Sequence, residues 1–584
     1  MDARLNSGQA GLPGLGLAWT AAIAVPLAYL FLYVPDGMDS TDFGYFYGYA
    51  WRILQGEFPY RDFHYIKPSL PLFWHAFWMA VTPDGIEVLA GKAGFFAEML
   101  AAAWFGALFL GRCFSFSRLG IPLPLLATAG FVFGIHCFPC MPWHTADGVF
   151  FASAGIWCAS LNLALPAGLL CACSALCKQS FALVPLGACI FLWLCRGRRQ
   201  ALICAATWLA GMGAFSFAIW QAGAWEAFKA MTTGQLALKE ALDAGIGIYL
   251  HQNWWPLAIC LVPWGLARLR GAALPEWLSP PLVFIAVVAA WFIWLACTQH
   301  TWQGYGLAWP TTLVLAGGLM VFAPKASTAR HAAFWDRPHP LLCASASLGL
   351  ALLVSWSTAI SGGYKIPAFF STPLLFVLAL WHAGLGHRAQ TALWTALACG
   401  LAMFSAGYHW PYTFPVRPLE RGELAFDAGT VYPKAAGVRV DRLMLEKLED
   451  LKLLRAKYGP VYKTLPGFTL AYYLNGDKPS CKSDWLIDWE INADCDAVYG
   501  DLLARKAVVF MERDQMDAEK ADAYDRAGYT VPQRVRRQWQ AVDETRHFVV
   551  FMPPAAPAPA PAQAPAKAPG PAPSPLDSQR PARP

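Results

Sequence analysis

Long apolar runs alternate with short polar connectors through the first four hundred residues, and the pattern then changes. A helix that crosses a bilayer needs roughly 20 mostly apolar residues. Reading for such runs predicts about thirteen membrane helices, near 15–35, 87–111, 119–137, 147–165, 166–177, 180–195, 200–222, 251–267, 279–298, 305–323, 340–358, 367–386 and 391–408. The fifth is short enough to be a half-span. The first run lacks both a charged flank ahead of it and a clear small-residue cleavage site, so it is expected to stay in place as a span. Two further stretches, SLPLFWHAFWMAV (69–81) and AWEAFKAMTTGQLALKEALD (224–243), predict helices lying at the membrane interface.

The connectors fix an orientation. Counting from a cytoplasmic N-terminus, Arg112 and Arg118, Arg196, Arg198 and Arg199, Arg268 and Arg270, Lys325, Arg330 and Arg337, and Arg388 all fall on the inner side. That is the side that retains Lys and Arg. The loops 36–86, 138–146, 223–250, 299–304 and 359–366 are then outside, together with everything after 409. In a bacterium this places the chain in the inner membrane with its C-terminus in the periplasm.

Residues 1–409 thus form a membrane module, with 36–86 as its first outer loop. Residues 410–552 are mixed and charged. There DRLMLEKLEDLKLLRAKYG (441–459) predicts an amphipathic helix, while AVVFM (507–511) and HFVVFM (547–552) predict strands, as in a small α/β domain. The Pro/Ala-rich segment 553–584 cannot bury a core and is expected to be a disordered tail.

Composition agrees with the pattern. Of 584 residues 57% are hydrophobic and 14% charged, against roughly 25% charged in a soluble chain. A soluble enzyme and a disordered chain are excluded. The net charge of +6 is spread along the sequence, so no nucleic-acid partner is expected. Most of the 16 Cys lie in apolar runs, where Cys acts as a small hydrophobe.

Ionisable groups are costly in membranes and mark function. They concentrate in MDSTDFGYFYGYAWRILQGEFPYRDFHYIKPSLP (38–71). Asp42 offers a general base, although an Asp there also suits the cap of the helix that follows. Asp62 divides between a structural turn role and an acceptor-side role. Lys67 precedes Pro68 and so has extended backbone. It suits a lysine snorkelling to headgroups. Asp147 opens a helix as either a cap or a second acid. Beside it His144 reads as an interfacial histidine. Lys178 lies between two apolar segments, where it suits pairing with a carboxylate such as Asp147.

The loop 38–71 resembles the first outer loop of the GT-C glycosyltransferases that use polyprenyl-phosphate sugars, among them the bacterial aminoarabinose transferases and the protein O-mannosyltransferases. The residues that carry the likeness are Asp42, Tyr45, Gly56, Pro59, Tyr60, Arg61, Asp62, Phe63, Lys67 and Pro68. The resemblance implies a GT-C-like polytopic helical fold with about thirteen spans. It also implies a polyprenyl-phosphate sugar donor and an envelope lipid, glycan or protein as acceptor. Under it Asp42, Asp62 and Asp147 are the catalytic candidates, and Lys67, Lys178, His300, Tyr305 and Tyr60 are the donor-binding candidates. Many members carry two adjacent acids, whereas here Phe43 follows Asp42. No cofactor is therefore expected, and a divalent metal stays an open alternative.

In an oxidising periplasm Cys481 and Cys495, the only Cys after 399, are expected to pair, worth about 3 kcal/mol for a loop of that length. The competing readings are a transporter or flippase of lipid-linked sugars and a membrane assembly scaffold. A transporter would place charge near the midplane and show inverted repeats, neither of which the sequence displays. A scaffold leaves the 38–71 loop unexplained.

Overall fold

The computed structural model describes residues 15–114, 121–135, 140–233, 340–360, 421–488, 494–516 and 528–554, with short stretches and single positions between them. The expected spans 305–323, 367–386 and 391–408 fall almost wholly outside these residues, as does the tail, and 251–267 and 279–298 fall partly outside.

Among the described residues, five helices are long and apolar enough to cross a membrane, by length and composition. They are α1 (Leu15–Tyr33), α4 (Glu87–Cys113), the stretch Gln179–Arg196 that contains α8 (Val184–Arg196), α9 (Arg198–Gln221) and α11 (Pro340–Ala359). Between them lie α2 (Asp42–Leu54), α3 (Leu70–Val81), α5 (Leu123–Ile135), α6 (His144–Ser160) and α7 (Ala164–Cys177). Many large apolar side chains stay exposed on these helices, including Leu17, Phe31, Trp193, Leu209, Phe217 and Trp220. Contiguous apolar surface of this kind is a face for lipid, and the chain is a multi-pass membrane protein.

The helices pack α4 on α5 and α6, α6 on α7, α7 on α9, and α8 on α9 and α11. Small residues set the closest approaches. A Cβ at Gly168 would sit 2.3 Å from the Cys204 carbonyl oxygen, so only glycine lets α7 meet α9 there. At one end of the bundle the Arg112 and Arg196 guanidiniums both donate to the Ser160 carbonyl, at 3.0 and 2.6 Å. The C-terminal ends of α4, α6 and α8 therefore meet at one level. The start of α6 and the end of α7 face the other way.

Both expected interfacial segments begin as helices. α3 buries Leu72, His75, Ala76 and Met79 and leaves Phe77, Trp78 and Val81 exposed. α10 (Trp225–Thr232) covers the first part of 224–243.

Residues 421–554 are α/β, as the pattern predicted. The ribbon β1 (Phe426–Asp427) and β2 (Arg439–Val440) precedes α12 (Arg442–Tyr458), β3 (Tyr462–Leu465), α13 (Leu470–Asn475), α14 (Cys495–Ala504), β4 (Val508–Glu512), α15 (Thr530–Gln538), β5 (Gln540–Glu544) and β6 (Phe548–Met552). The sheet order is β3-β4-β6-β5, with β3 parallel to β4 and the other pairs antiparallel. Asp441 caps α12 by accepting the Met444 N–H at 3.1 Å.

This α/β part is seated on the first loop. Gly37 donates its N–H to the Arg439 carbonyl, and Arg439 returns its own to Pro35. Asp36 is held by Arg421 and Arg439. A Cβ at Gly44 would lie 2.3 Å from the Leu470 nitrogen, so α2 and the start of α13 are in backbone contact. One apolar core runs from Tyr45, Phe46 and Tyr49 through to Tyr462, Tyr472 and Tyr473. Two parts packed in this way must share one side of the membrane.

The expected disulfide is a correction. Cys481 and Cys495 are both free thiols. Cys481 is buried with its sulfur 3.6 Å from the Ser480 hydroxyl, and Cys495 opens α14 with its sulfur 3.5 Å from the Asp488 carboxylate. Each sulfur is satisfied by a different polar neighbour.

Candidate active site

α2 is the base of the site. The sequence DFGYFYGYAWRIL puts aromatic rings on every face, and all but the ends are buried. Its N-terminal amides are capped by Asp39, which accepts from Thr41 at 3.0 Å and from Phe43 at 2.8 Å. The cap role open to Asp42 thus falls to Asp39, and Asp42 stands half-buried in the first turn. Burial, and then the neighbouring Asp42 charge, push the Asp39 carboxyl well above its usual range. A second acid is therefore beside Asp42, three residues before it rather than adjacent.

At the other end of α2, Arg52 is buried between Glu57 at 2.5 Å and Asp484 at 2.9 Å, and it donates to the Cys481 carbonyl at 2.8 Å. This lattice fixes the turn that follows. Asp62 accepts the Phe58 N–H at 2.7 Å and pairs with exposed Arg61 at 2.7 Å, which lowers its pKa. Its contacts are those of a turn residue.

Tyr60 takes positive φ there and donates its hydroxyl to the Lys67 carbonyl at 2.7 Å. Its ring meets Phe228 of α10 at 5.0 Å. Tyr60 acts on Lys67 through the backbone.

Lys67 is buried. Its ammonium donates to Glu490 at 2.6 Å and sits 5.5 Å from the Tyr45 ring centroid. Tyr45 donates its hydroxyl to the other Glu490 oxygen at 2.9 Å. Lys178 occupies the extended break between α7 and the short helix Gln179–Phe181. Gln179 ties that break to the first loop through the Ile66 carbonyl at 2.9 Å. Burial first, and then the Lys67 charge, push the Lys178 ammonium down to about 7, while Glu490 and Asp42 act against that. Three segments distant in sequence, the first loop, the break after α7 and the α/β part, thus bring Asp42, Lys67, Lys178 and Glu490 into one electrostatic group.

Asp147 belongs to a neighbouring cluster. It is fully buried at the start of α6, with one oxygen 3.1 Å from His75 Nε2. Glu98 of α4, bonded by the Trp74 indole at 2.7 Å, is the second acid of that cluster. His144 is buried against Phe46, ring centroids 5.2 Å apart, and neither ring nitrogen has a hydrogen-bond partner. The Tyr65 hydroxyl is also buried without a partner. Polar groups left unsatisfied when buried cost free energy.

His300 and Tyr305 lie outside the described residues. Among the described residues no group of three or more His, Cys, Asp or Glu is placed to hold a metal ion.

Sequence reading missed Glu490 and Asp39. Glu490 sits in an acidic run, DWEINADCD, whose spacing gives no hint that it reaches Lys67. Asp39 was visible as an acid one helical turn before Asp42.

No protein-family model and no curated protein sequence matches the chain. Among solved structures, the chain is similar to the oligosaccharyltransferase of Archaeoglobus fulgidus, solved in complex with Zn and sulfate. The identity is 11%, the match covers 91% of this chain and 71% of that one, and the TM-score is 0.30. A score that low does not establish a shared fold, so the residues carry the argument.

Proposed function

We propose that the protein is a membrane glycosyltransferase that moves a sugar from a polyprenyl-phosphate donor to a cell-envelope acceptor, working at the periplasmic face of a bacterial inner membrane. The observation that carries this reading is the buried Lys67 held with Glu490 and Tyr45, with the Lys178 break tied to the same loop through Gln179 and Ile66 and Asp42 in the first turn of α2. An anionic headgroup on a lipid tail needs that combination: cations held close to lipid-facing helices.

In this reading an acceptor hydroxyl attacks the anomeric carbon of the sugar. Its proton passes to Asp42, the general base. The bond from the anomeric carbon to the phosphate oxygen breaks, and the electron pair leaves with the phosphate, which gains a second negative charge. Lys67 and Lys178 stabilise that growing charge, so they lower the barrier as well as binding the donor. The transition state has oxocarbenium character, by analogy with glycoside hydrolysis. Tyr60 positions Lys67. Asp62 serves the fold of the loop, and Asp147 with His75 and Glu98 lines the neighbouring buried cluster.

Lys67→Ala and Lys178→Ala test the site. Each is expected to weaken polyprenyl-phosphate binding by about 10-fold or more, the loss of one charge-assisted hydrogen bond. The double variant should be non-additive, because the two share a ligand. Unchanged binding in the folded double variant would remove the phosphate assignment.

A further inference from the structure

The cationic site already holds an anion, and that anion belongs to the chain. The Glu490 carboxylate receives the Lys67 ammonium at 2.6 Å on one oxygen and the Tyr45 hydroxyl at 2.9 Å on the other. A carboxylate presents two oxygens to two donors in much the way two phosphate oxygens would. Lys178 lies in the field of the same carboxylate. Glu490 enters from the α/β part, between Trp485 and α14, while Tyr45, Lys67 and Lys178 come from α2, the first loop and the break after α7. Two ammoniums face the Glu490 and Asp42 carboxylates, with Asp39 beside Asp42, so the group carries no net positive charge. A phosphate added to it would meet no net attraction unless one carboxylate withdrew.

We propose that Glu490 marks the anion subsite and competes for it: a phosphodiester donor binds by displacing the Glu490 carboxylate and taking over the Lys67 ammonium and the Tyr45 hydroxyl. This rests on the functional reading above and adds two elements to it. Tyr45 is a direct donor to the ligand's phosphate, and the α/β part controls access to the subsite through one side chain. With Glu490 withdrawn, the Lys67 ammonium loses its carboxylate partner, which favours an anion and disfavours a neutral lipid. Glu490 thereby sets selectivity, since a ligand without the charge to displace it leaves the Lys67 pair intact.

Binding of farnesyl phosphate to the purified full chain in detergent tests this, with farnesol as the uncharged control. Glu490→Gln keeps the size of the side chain and removes its charge. It is expected to bind farnesyl phosphate about 10- to 100-fold more tightly than the wild type, the range of one charge-assisted contact, with farnesol binding unchanged. Glu490→Asp keeps the charge but retracts it by one methylene, and a smaller gain is expected. This second variant covers the case in which the unpaired Lys67 of Glu490→Gln prevents folding. Tyr45→Phe in the Glu490→Gln background should return part of the gain. If both Glu490 variants bind farnesyl phosphate no more tightly than wild type while Lys67→Ala still weakens it, the competition is overturned and the donor site stands. If Lys67→Ala has no effect either, the functional reading itself fails.

Discussion

Lys178 carries the charge that the site finds hardest to hold. With its ammonium pushed down to about 7 by burial and by Lys67, a fraction of the free protein has lost that proton at neutral pH. An anion stabilises the protonated form, so binding must draw a proton in. The sign follows directly. Affinity for a phosphodiester, whose own charge is fixed between pH 6 and 9, should be highest below 7 and fall as pH rises through that value. Titration calorimetry in buffers of different ionisation enthalpy should show net proton uptake near pH 7.5, and Lys178→Ala should abolish it. Arg52 makes a different residue-level claim. Removing it strands the buried carboxylate of Asp484, while Glu57 keeps Lys478 at 3.0 Å; breaking a buried pair in this way typically costs about 3–5 kcal/mol. Arg52→Ala should lower the melting temperature of the purified protein by several degrees. Arg52→Lys should recover only part of the loss, since an ammonium cannot reproduce a fork that also bonds the Cys481 carbonyl.

The elements show which parts of this architecture were legible in the chain. Apolar run length found α4 and α9 and the short apolar strands β4 and β6, and period reading found α12, because these signals are written locally. The strand YKTL (462–465) was missed: with every residue buried it has no alternation to read, and it is only four residues long. The capping ambiguity at Asp42 was resolved by geometry that no spacing encodes, since Asp39 and Asp42 are both acids at the start of α2 and it is Asp39 that accepts from the Thr41 and Phe43 amides. The disulfide failed for a related reason. Counting cysteines says which sulfurs are left over, not which way they point. Gly44 is where two elements from opposite ends of the chain touch. Gly44→Ala forces α2 away from α13 and should loosen the α/β part from the first loop. Limited proteolysis should then cut between residues 421 and 440 faster than in wild type, with the α-helical circular dichroism signal retained.

At the scale of the molecule, the first loop and the α/β part are packed as one unit, so no topology that separates them across the membrane is compatible with the fold. Glu490 was illegible in the sequence because its partner is 423 residues away; only the docking of the α/β part reveals it. Accessibility labelling of single cysteines placed at exposed Arg61 and Lys478 should give the same sidedness for both. Labelling from opposite faces would contradict the fold. The central claim is that Asp42 draws a proton from an acceptor while two lysines receive the departing phosphate. The most direct measurement is sugar transfer by purified protein, using a synthetic polyprenyl-phosphate sugar and a panel of envelope acceptors, with wild type beside Asp42→Asn. The account predicts a new glycosidic bond with wild type, a turnover lower by about 10²–10⁴-fold with Asp42→Asn, and donor binding retained in that variant. Transfer by Asp42→Asn at the wild-type rate would contradict the base assignment. Donor movement across a reconstituted bilayer by a wild-type protein that forms no glycosidic bond with any acceptor would contradict the glycosyltransferase itself.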